Sequence, residues 1–143
     1  MSIDYGTKFI GIAISDYAET LALPVRVIPA AKSHQANAQA ILKLAKDYEP
    51  EAYVVGLALN MDGSRGPQAA FTLRFADVLQ NLTPCPVETW DERLSTFAAE
   101  QLLVGGPDAT RPTDRRSDAI AAQLILQAFL AARRKSDPPS AST

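Results

Sequence analysis

The stretch IDYGTKFIGIAISD, residues 3–16, decides the fold of this chain. Its β-branched and aromatic residues predict two strands, over residues 2–5 and 9–15. The pair Gly6-Thr7 between them is typical of a tight turn. The chain therefore opens with a predicted antiparallel hairpin.

A third β-prone run, residues 21–28, follows the hairpin. Pro24 lies inside this run and favours an edge strand, because proline cannot donate a ladder hydrogen bond. Helical and extended patterns then alternate. Ser33 is a possible N-cap for a helix with Ala38, Ile41, Leu42 and Ala45 on one face. Further along lie predicted strands at 52–59 and 86–92, a helix with Phe71, Phe75, Val78, Leu79 and Leu82 on one face, and a helix over 94–103.

A last helix is predicted over residues 113–134, after a Gly- and Pro-rich loop at 104–113 that we expect to be mobile and to help close a site. Residues 136–143 are expected to form a disordered tail, which leaves one domain over residues 1–135. Three strands followed by αβ crossovers predict an α/β fold with a five-stranded mixed sheet flanked by helices. The last helix is expected to bury Ala121, Leu124, Ile125, Ala128 and Ala132.

The composition of the chain is that of one globular domain, with 143 residues of which 47% are hydrophobic and 21% charged. The formal net charge of −2 excludes a strongly basic protein, so a nucleic-acid site must be a local basic patch. No membrane span and no signal peptide are predicted. The single cysteine, Cys85, lies between two prolines, and the cytoplasm is the expected compartment.

Asp4 is an acid inside an apolar strand, where an unpaired charge is costly to bury. A hard divalent cation such as Mg²⁺, which prefers oxygen ligands, would justify it. The alternative is an acid exposed at an edge or in a turn.

Asp91 and Glu92 end a later strand on opposite faces, so both cannot point inward from a regular strand. Asp118 shares a face with Ala122 in the last helix, or it merely favours the helix dipole in the first turn.

Other polar residues give weaker signals. Gly6, Thr7 and Lys8 can contact phosphate through backbone amides, or they form a tight turn only. Asp62-Gly63 is typical of a turn, although it follows a strand end, where α/β sites gather. His34, the only histidine, is expected to be exposed rather than catalytic. No zinc, Walker A or dinucleotide-binding pattern is present.

Four stretches of the chain together resemble the YqgF/RuvX family, described as pre-16S rRNA nucleases or Holliday-junction resolvases. They are IDYGTKFIGIAISD at 3–16, VVGLALNMDGSRGPQA at 54–69, WDERLST at 90–96 and RRSDAIAAQLILQAFL at 115–130. The resemblance covers the chain to about residue 131. Only three residues precede Asp4, so the first strand is short for this family, and a start further upstream is left open.

The resemblance implies an RNase H-like fold and an acidic site for Mg²⁺ or Mn²⁺. Its ligands would be Asp4, Asp118 and one of the acidic pair, where we favour Glu92 for its longer reach and keep Asp91 as the alternative. Two ions about 4 Å apart would support phosphodiester hydrolysis. The residues expected near substrate phosphates are Gly6, Thr7, Lys8, Asn60, Gly63, Ser64, Arg93, Arg111, Arg115 and Arg116.

The expected function is a metal-dependent nuclease acting on the 5′ end of precursor 16S rRNA, as a monomer or a homodimer. RNA is favoured because 14 basic residues against 16 acidic ones suit a short single strand better than two duplex arms. The alternatives are a four-way junction resolvase and a non-enzymatic RNA-binding assembly factor. A sugar-kinase-like phosphotransferase, suggested by Asp4 to Thr7, would need two domains around a cleft.

Overall fold

A computed structural model describes residues 1–94 and 115–136, with the side chains of 1–94 and 119–133. One five-stranded sheet has the order β3-β2-β1-β4-β5. The hairpin β1–β2 and the pair β2–β3 are antiparallel, whereas β1–β4 and β4–β5 are parallel. The α/β prediction with a five-stranded mixed sheet is confirmed. The strands are β1 (Ser2–Tyr5), β2 (Phe9–Ser15), β3 (Ala22–Pro29), β4 (Tyr53–Leu57) and β5 (Val87–Asp91), and the helices are α1 (His34–Ala45), α2 (Pro67–Leu82) and α3 (Arg115–Ser136).

The strand and cap predictions agree closely with these bounds. β3 is an edge strand, and its register shifts beside Pro24, where a bulge removes the need for a proline N–H. Ser33 caps α1, and its hydroxyl accepts a hydrogen bond from the Ala36 amide at 3.2 Å. Of the predicted helix at 94–103, residues 95–103 lie outside the described residues, as do the loop at 104–113 and residues 137–143 of the predicted tail. Residue 136 belongs to α3.

The larger part of the core lies between the sheet and the pair α1–α2. Successive residues of a strand point to opposite faces, and Ile3 and Tyr5 of β1 point to this side. The Tyr5 ring stacks on Phe75, with centroids 3.8 Å apart. His34, expected to be exposed, is half-buried instead, because its ring packs against Phe71 and its Nδ1 lies 2.7 Å from the Tyr5 hydroxyl.

The helix α3 covers the opposite face of the sheet. The prediction of which of its residues face the sheet was wrong, because the helix is rotated about its axis relative to the predicted orientation. Ile125 is buried as predicted, but Ala132 is exposed. The error has a simple cause: apolar residues occupy almost every position of the helix, so their periodicity does not fix its rotation. The residues buried from α3 are Ala122, Ile125, Leu126 and Leu130.

A direct tie joins α3 to the central strand. The hydroxyl of Ser2, which is fully buried, donates a hydrogen bond to the Ala122 carbonyl at 2.6 Å. Because residues 2 and 4 share a face of β1, this tie also fixes the side of the sheet on which Asp4 lies.

No helix in the described ranges has the length and apolar character needed to cross a membrane.

The start of α1 is held to β1 by Asn37, which is almost fully buried. Its side-chain oxygen accepts from the Ala31 amide at 2.7 Å, and its nitrogen donates to the Tyr5 hydroxyl at 2.8 Å and to the Ala31 carbonyl at 3.1 Å. Removing this side chain takes a partner from the Ala31 amide and carbonyl, and it leaves the Tyr5 hydroxyl with His34 alone of these two partners.

We therefore expect Asn37→Ala to lower the free energy of unfolding by about 1–3 kcal/mol. Gln35→Ala, at an exposed position of the same helix, is the matched control and should change it by less than about 0.5 kcal/mol. Urea unfolding of both variants gives the comparison. Equal stability of the two variants would contradict this role for Asn37.

Candidate metal and nucleic-acid site

The candidate site lies where three parallel strands end. β1, β4 and β5 run in the same direction, so the segments that follow them meet at one end of the sheet. These segments are the hairpin loop at 6–8, the loop at 58–66 and the chain from residue 92 onward. The structure thus brings together three of the four stretches that carry the predicted site.

Asp4 and Glu92 form the centre of this end of the sheet. Asp4 lies on the face of β1 that α3 covers, together with Ser2. Glu92 comes two residues after Trp90 and therefore points to the same side of the sheet. The Trp90 ring also faces α3, because its centroid lies 5.8 Å from that of Phe129. Burial, the Asp4 charge and a hydrogen bond between the two carboxyl groups together raise the pKa of Glu92 to about 7. The two carboxyl groups therefore share a proton near neutral pH.

Gly56 makes room for this arrangement in β4, the strand between Asp4 and Glu92. A Cβ at this position would lie 2.6 Å from Glu92 Oε1 and 2.6 Å from Ile125 Cδ1. Any larger residue would displace the Glu92 carboxylate. A glycine within the buried run VVGL was the sequence signal for this close approach, and our reading of the sequence missed it.

The donor set fits a hard divalent cation. Two half-buried carboxylates that repel each other when both are ionised offer oxygen ligands, and a cation would replace the proton they share. Within residues 1–94 and 119–133, no group of three His, Cys, Asp or Glu side chains could hold a metal. Asp118, the third predicted ligand, lies in the first turn of α3, and its side chain is outside this range.

The Asp91 carboxylate is bonded to Arg93. Its Oδ2 accepts from Arg93 Nη2 at 2.7 Å, and both of its oxygens accept from Arg93 Nε at 3.0 Å. The Arg93 guanidinium beside it lowers the pKa of the Asp91 carboxyl. The structure therefore brings Glu92, not Asp91, to Asp4.

The loop that contains the predicted phosphate contacts Asn60, Gly63 and Ser64 is internally bonded. The Ser64 hydroxyl donates to Asp62 at 2.6 Å, and the Asn60 amide nitrogen donates to the Ser64 hydroxyl at 3.0 Å. Gly63 has a φ of +87°, a left-handed conformation that favours glycine. Asp62 organises this turn, so the interpretation of Asp62-Gly63 as a turn is confirmed.

The hairpin loop of Gly6, Thr7 and Lys8 adjoins Asp4 directly. The Gly6 amide donates to the Phe9 carbonyl at 3.1 Å, and a Cβ on Gly6 would lie 2.4 Å from that oxygen, so only glycine fits. Lys8 is exposed beside this turn. Of the remaining predicted phosphate contacts, Arg111 and the side chains of Arg115 and Arg116 lie outside the described residues.

Charged side chains lie at both ends of the sheet. Lys8, Lys32, Arg65 and Arg93 are exposed at the site end. The opposite end has a cavity of about 960 Å³ that contains none of the candidate site residues. Its lining includes Arg133 and the acids Asp16, Glu19, Glu49, Glu51 and Glu88. The site end thus offers cations for phosphate contacts beside its own acids, Asp4, Asp62, Asp91 and Glu92.

Two solved structures share this fold. A Thermus thermophilus RuvC in complex with a Holliday junction substrate matches with a TM-score of 0.60 and 18% identity, over 96% of both chains. A second Thermus thermophilus RuvC structure matches with a TM-score of 0.54 over 94% of this chain and 95% of the other. The predicted RNase H-like fold is confirmed.

The chain belongs to the RuvX family, whose model, described as "Holliday junction resolvase", matches residues 1–132. A relative from Paracoccus denitrificans is 46% identical over 90% of this chain and 80% of its own length. One from Caldanaerobacter subterraneus is 39% identical over 95% and 98%, respectively. Both relatives bear the name "Putative pre-16S rRNA nuclease". The predicted family and the predicted enzyme class, a nuclease, are confirmed.

The raised pKa of Glu92 makes the stability of the metal-free protein depend on pH. The neutral carboxyl stabilises the fold fully below about pH 4.5, and this contribution is lost as the pH rises through about 7. In chelator at pH 8, Glu92→Gln should therefore be more stable than the wild type by about 1–3 kcal/mol. The difference should shrink towards pH 5.

Urea unfolding at both pH values in EDTA measures this difference. Glu88→Gln removes an exposed carboxyl from the other end of the same strand, and it should show no such gain. A Glu92→Gln variant no more stable than the wild type at pH 8 would contradict the assigned proton sharing.

Proposed function

We propose that this chain is a metal-dependent nuclease that cuts RNA during 5′-end processing of precursor 16S rRNA. The observation that carries the proposal is the pair Asp4–Glu92, two carboxyl groups in contact where three parallel strands end. With Asp118 they would hold Mg²⁺ or Mn²⁺. The bound ions would activate water and stabilise the leaving oxygen.

The chain's own residues divide the remaining tasks. Gly6 and Thr7 would present backbone amides to a phosphate beside Asp4, and Lys8 would offset its charge. The loop with Asn60, Gly63 and Ser64 would border the substrate on the β4 side. Arg111, Arg115 and Arg116 would add positive charge from the segment that leads into α3.

The proposed site is tested first by removing its charges. Asp4→Asn and Asp118→Asn keep the shape of the side chains, and each should lower RNA cleavage with Mn²⁺ by about 100-fold or more, equivalent to about 2.7 kcal/mol. Asp47→Asn removes an exposed acid from the other end of the sheet and should cut like the wild type.

Circular dichroism and urea unfolding would show that both site variants remain folded. Wild-type rates from Asp4→Asn and Asp118→Asn would rule out the proposed ligands. Tight RNA binding without cleavage by the wild-type protein, with or without Mn²⁺, would favour the RNA-binding assembly factor instead.

RNA is favoured over a four-way junction by the size of the basic surface. Only four exposed basic side chains border the site among the described residues. Gripping two duplex arms means neutralising many phosphates, usually by a symmetric dimer. The proposed substrate is a cytoplasmic RNA, which places the activity in the cytoplasm.

A second candidate, a junction resolvase, is supported by the description of the family model and by the RuvC complex with a Holliday junction. Competition between RNA, DNA and junction substrates, at physiological salt with Mn²⁺, distinguishes the two candidate functions. We expect single-stranded RNA to be cut faster than single-stranded DNA or a junction of equal length. Symmetric junction cleavage that outpaces RNA cleavage, by a protein that sediments as a dimer, would favour the resolvase.

A further inference from the structure

Arg93 joins two segments at the border of the site. Its Nη1 donates to the Met61 carbonyl of the 60–64 loop at 3.1 Å, and the Nη2–Asp91 contact holds the same guanidinium to the end of β5. A Cβ at Gly63 would lie 3.6 Å from both terminal nitrogens of Arg93, so the guanidinium packs directly over this turn. The loop is therefore tied to β5 through a single side chain.

Asp91 fixes the position of that side chain. Its Oδ1 accepts from the Arg93 backbone amide at 3.0 Å, in addition to the guanidinium contacts of both oxygens. Such a fork of parallel hydrogen bonds sets the orientation of an arginine as well as its place. A guanidinium has five N–H donors. Within residues 1–94 and 119–133, the contacts with Asp91 and Met61 take up three of them, so two more can donate to a phosphate oxygen.

The pair is too exposed to act chiefly on stability. The Arg93 side chain is 43% exposed and the Asp91 side chain 23%. Ion pairs at this exposure contribute little to the free energy of unfolding. What the contacts determine instead is the place of the 60–64 loop, which carries Asn60, Gly63 and Ser64.

We propose that Asp91 is a positioning residue and not a metal ligand. It holds Arg93 so that the guanidinium fixes the 60–64 loop beside the Asp4–Glu92 pair and presents its remaining N–H groups to a backbone phosphate of the substrate. The phosphate role rests on the proposed nuclease function. The Asp91–Arg93–Met61 connection itself does not.

The first test measures metal binding and loop order, independently of activity. Asp91→Asn should change the Mn²⁺ affinity, measured by calorimetry, by less than about twofold, whereas Glu92→Gln should weaken it by about tenfold or more. Arg93→Lys keeps the charge and loses the fork. It should speed amide hydrogen exchange at 60–64, while exchange in β1 stays the same.

The second test measures substrate binding. Asp91→Asn and Arg93→Lys should each raise KM for the RNA about tenfold with a smaller change in kcat, the loss expected for a hydrogen bond to a charged group. The double variant should be no worse than either single variant, because both changes break one connection. Glu88→Gln is the matched control on the same strand and should leave KM unchanged.

Three results would overturn the proposal. Loss of Mn²⁺ affinity in Asp91→Asn equal to that in Glu92→Gln would make Asp91 a ligand. Unchanged exchange at 60–64 in Arg93→Lys would remove the connection, and additive effects on KM would make the two residues independent. If the wild-type protein cuts no nucleic acid, the nuclease function fails, but the binding and exchange measurements still decide the role of Asp91.

Discussion

The mutual repulsion of Asp4 and Glu92 is the constraint around which this end of the molecule is built. Two carboxylates brought together in a half-buried place are unfavourable unless they share a proton or bind a cation. The fold forces them together nonetheless. β1 and β5 flank β4, strand alternation turns both side chains towards α3, and Gly56 leaves the space that Glu92 occupies. A site that is unfavourable when empty and ionised is a site ready for a cation.

The loops around the acidic pair also carry basic side chains that substrate binding would need. The loops at the carboxyl ends of the parallel strands carry Lys8, Arg65 and Arg93, whereas the turns at the other end carry Asp16, Glu19 and Glu49. A nearly neutral chain can therefore still place several cations beside its candidate site. Its formal net charge of −2 does not describe this local placement.

Local patterns predicted much of the pairing of the two carboxyl groups: an acid within an apolar strand singled out Asp4, and strand alternation separated Asp91 from Glu92. They failed where the answer depended on contacts between distant segments. The rotation of α3 could not be predicted because the helix carries apolar side chains on almost all of its faces. The contact of Arg93 with the Met61 carbonyl joins residues 32 positions apart. Its acceptor is a backbone oxygen, which every residue has, so the sequence contains no signal for it. Gly56 had a signal, a glycine in a buried strand, but its reason became clear only with Glu92 in place.

The corrected rotation of α3 strengthens the case for the third carboxylate. Ala122, not Ala121, faces the sheet, where its carbonyl accepts the Ser2 hydroxyl. From Ser2 to Asp4 the strand rises about 6.6 Å, and from Ala122 back to Asp118 the helix rises about 6 Å. α3 runs against β1, because its later residue Gln127 bonds to Thr20 and Ala22 at the far end of the sheet. The helix backbone at residue 118 thus lies about one turn from the Ser2 contact, towards the site end of the sheet. An acid at this level, on the helix that covers the Asp4 face, is what a three-carboxylate metal site would need.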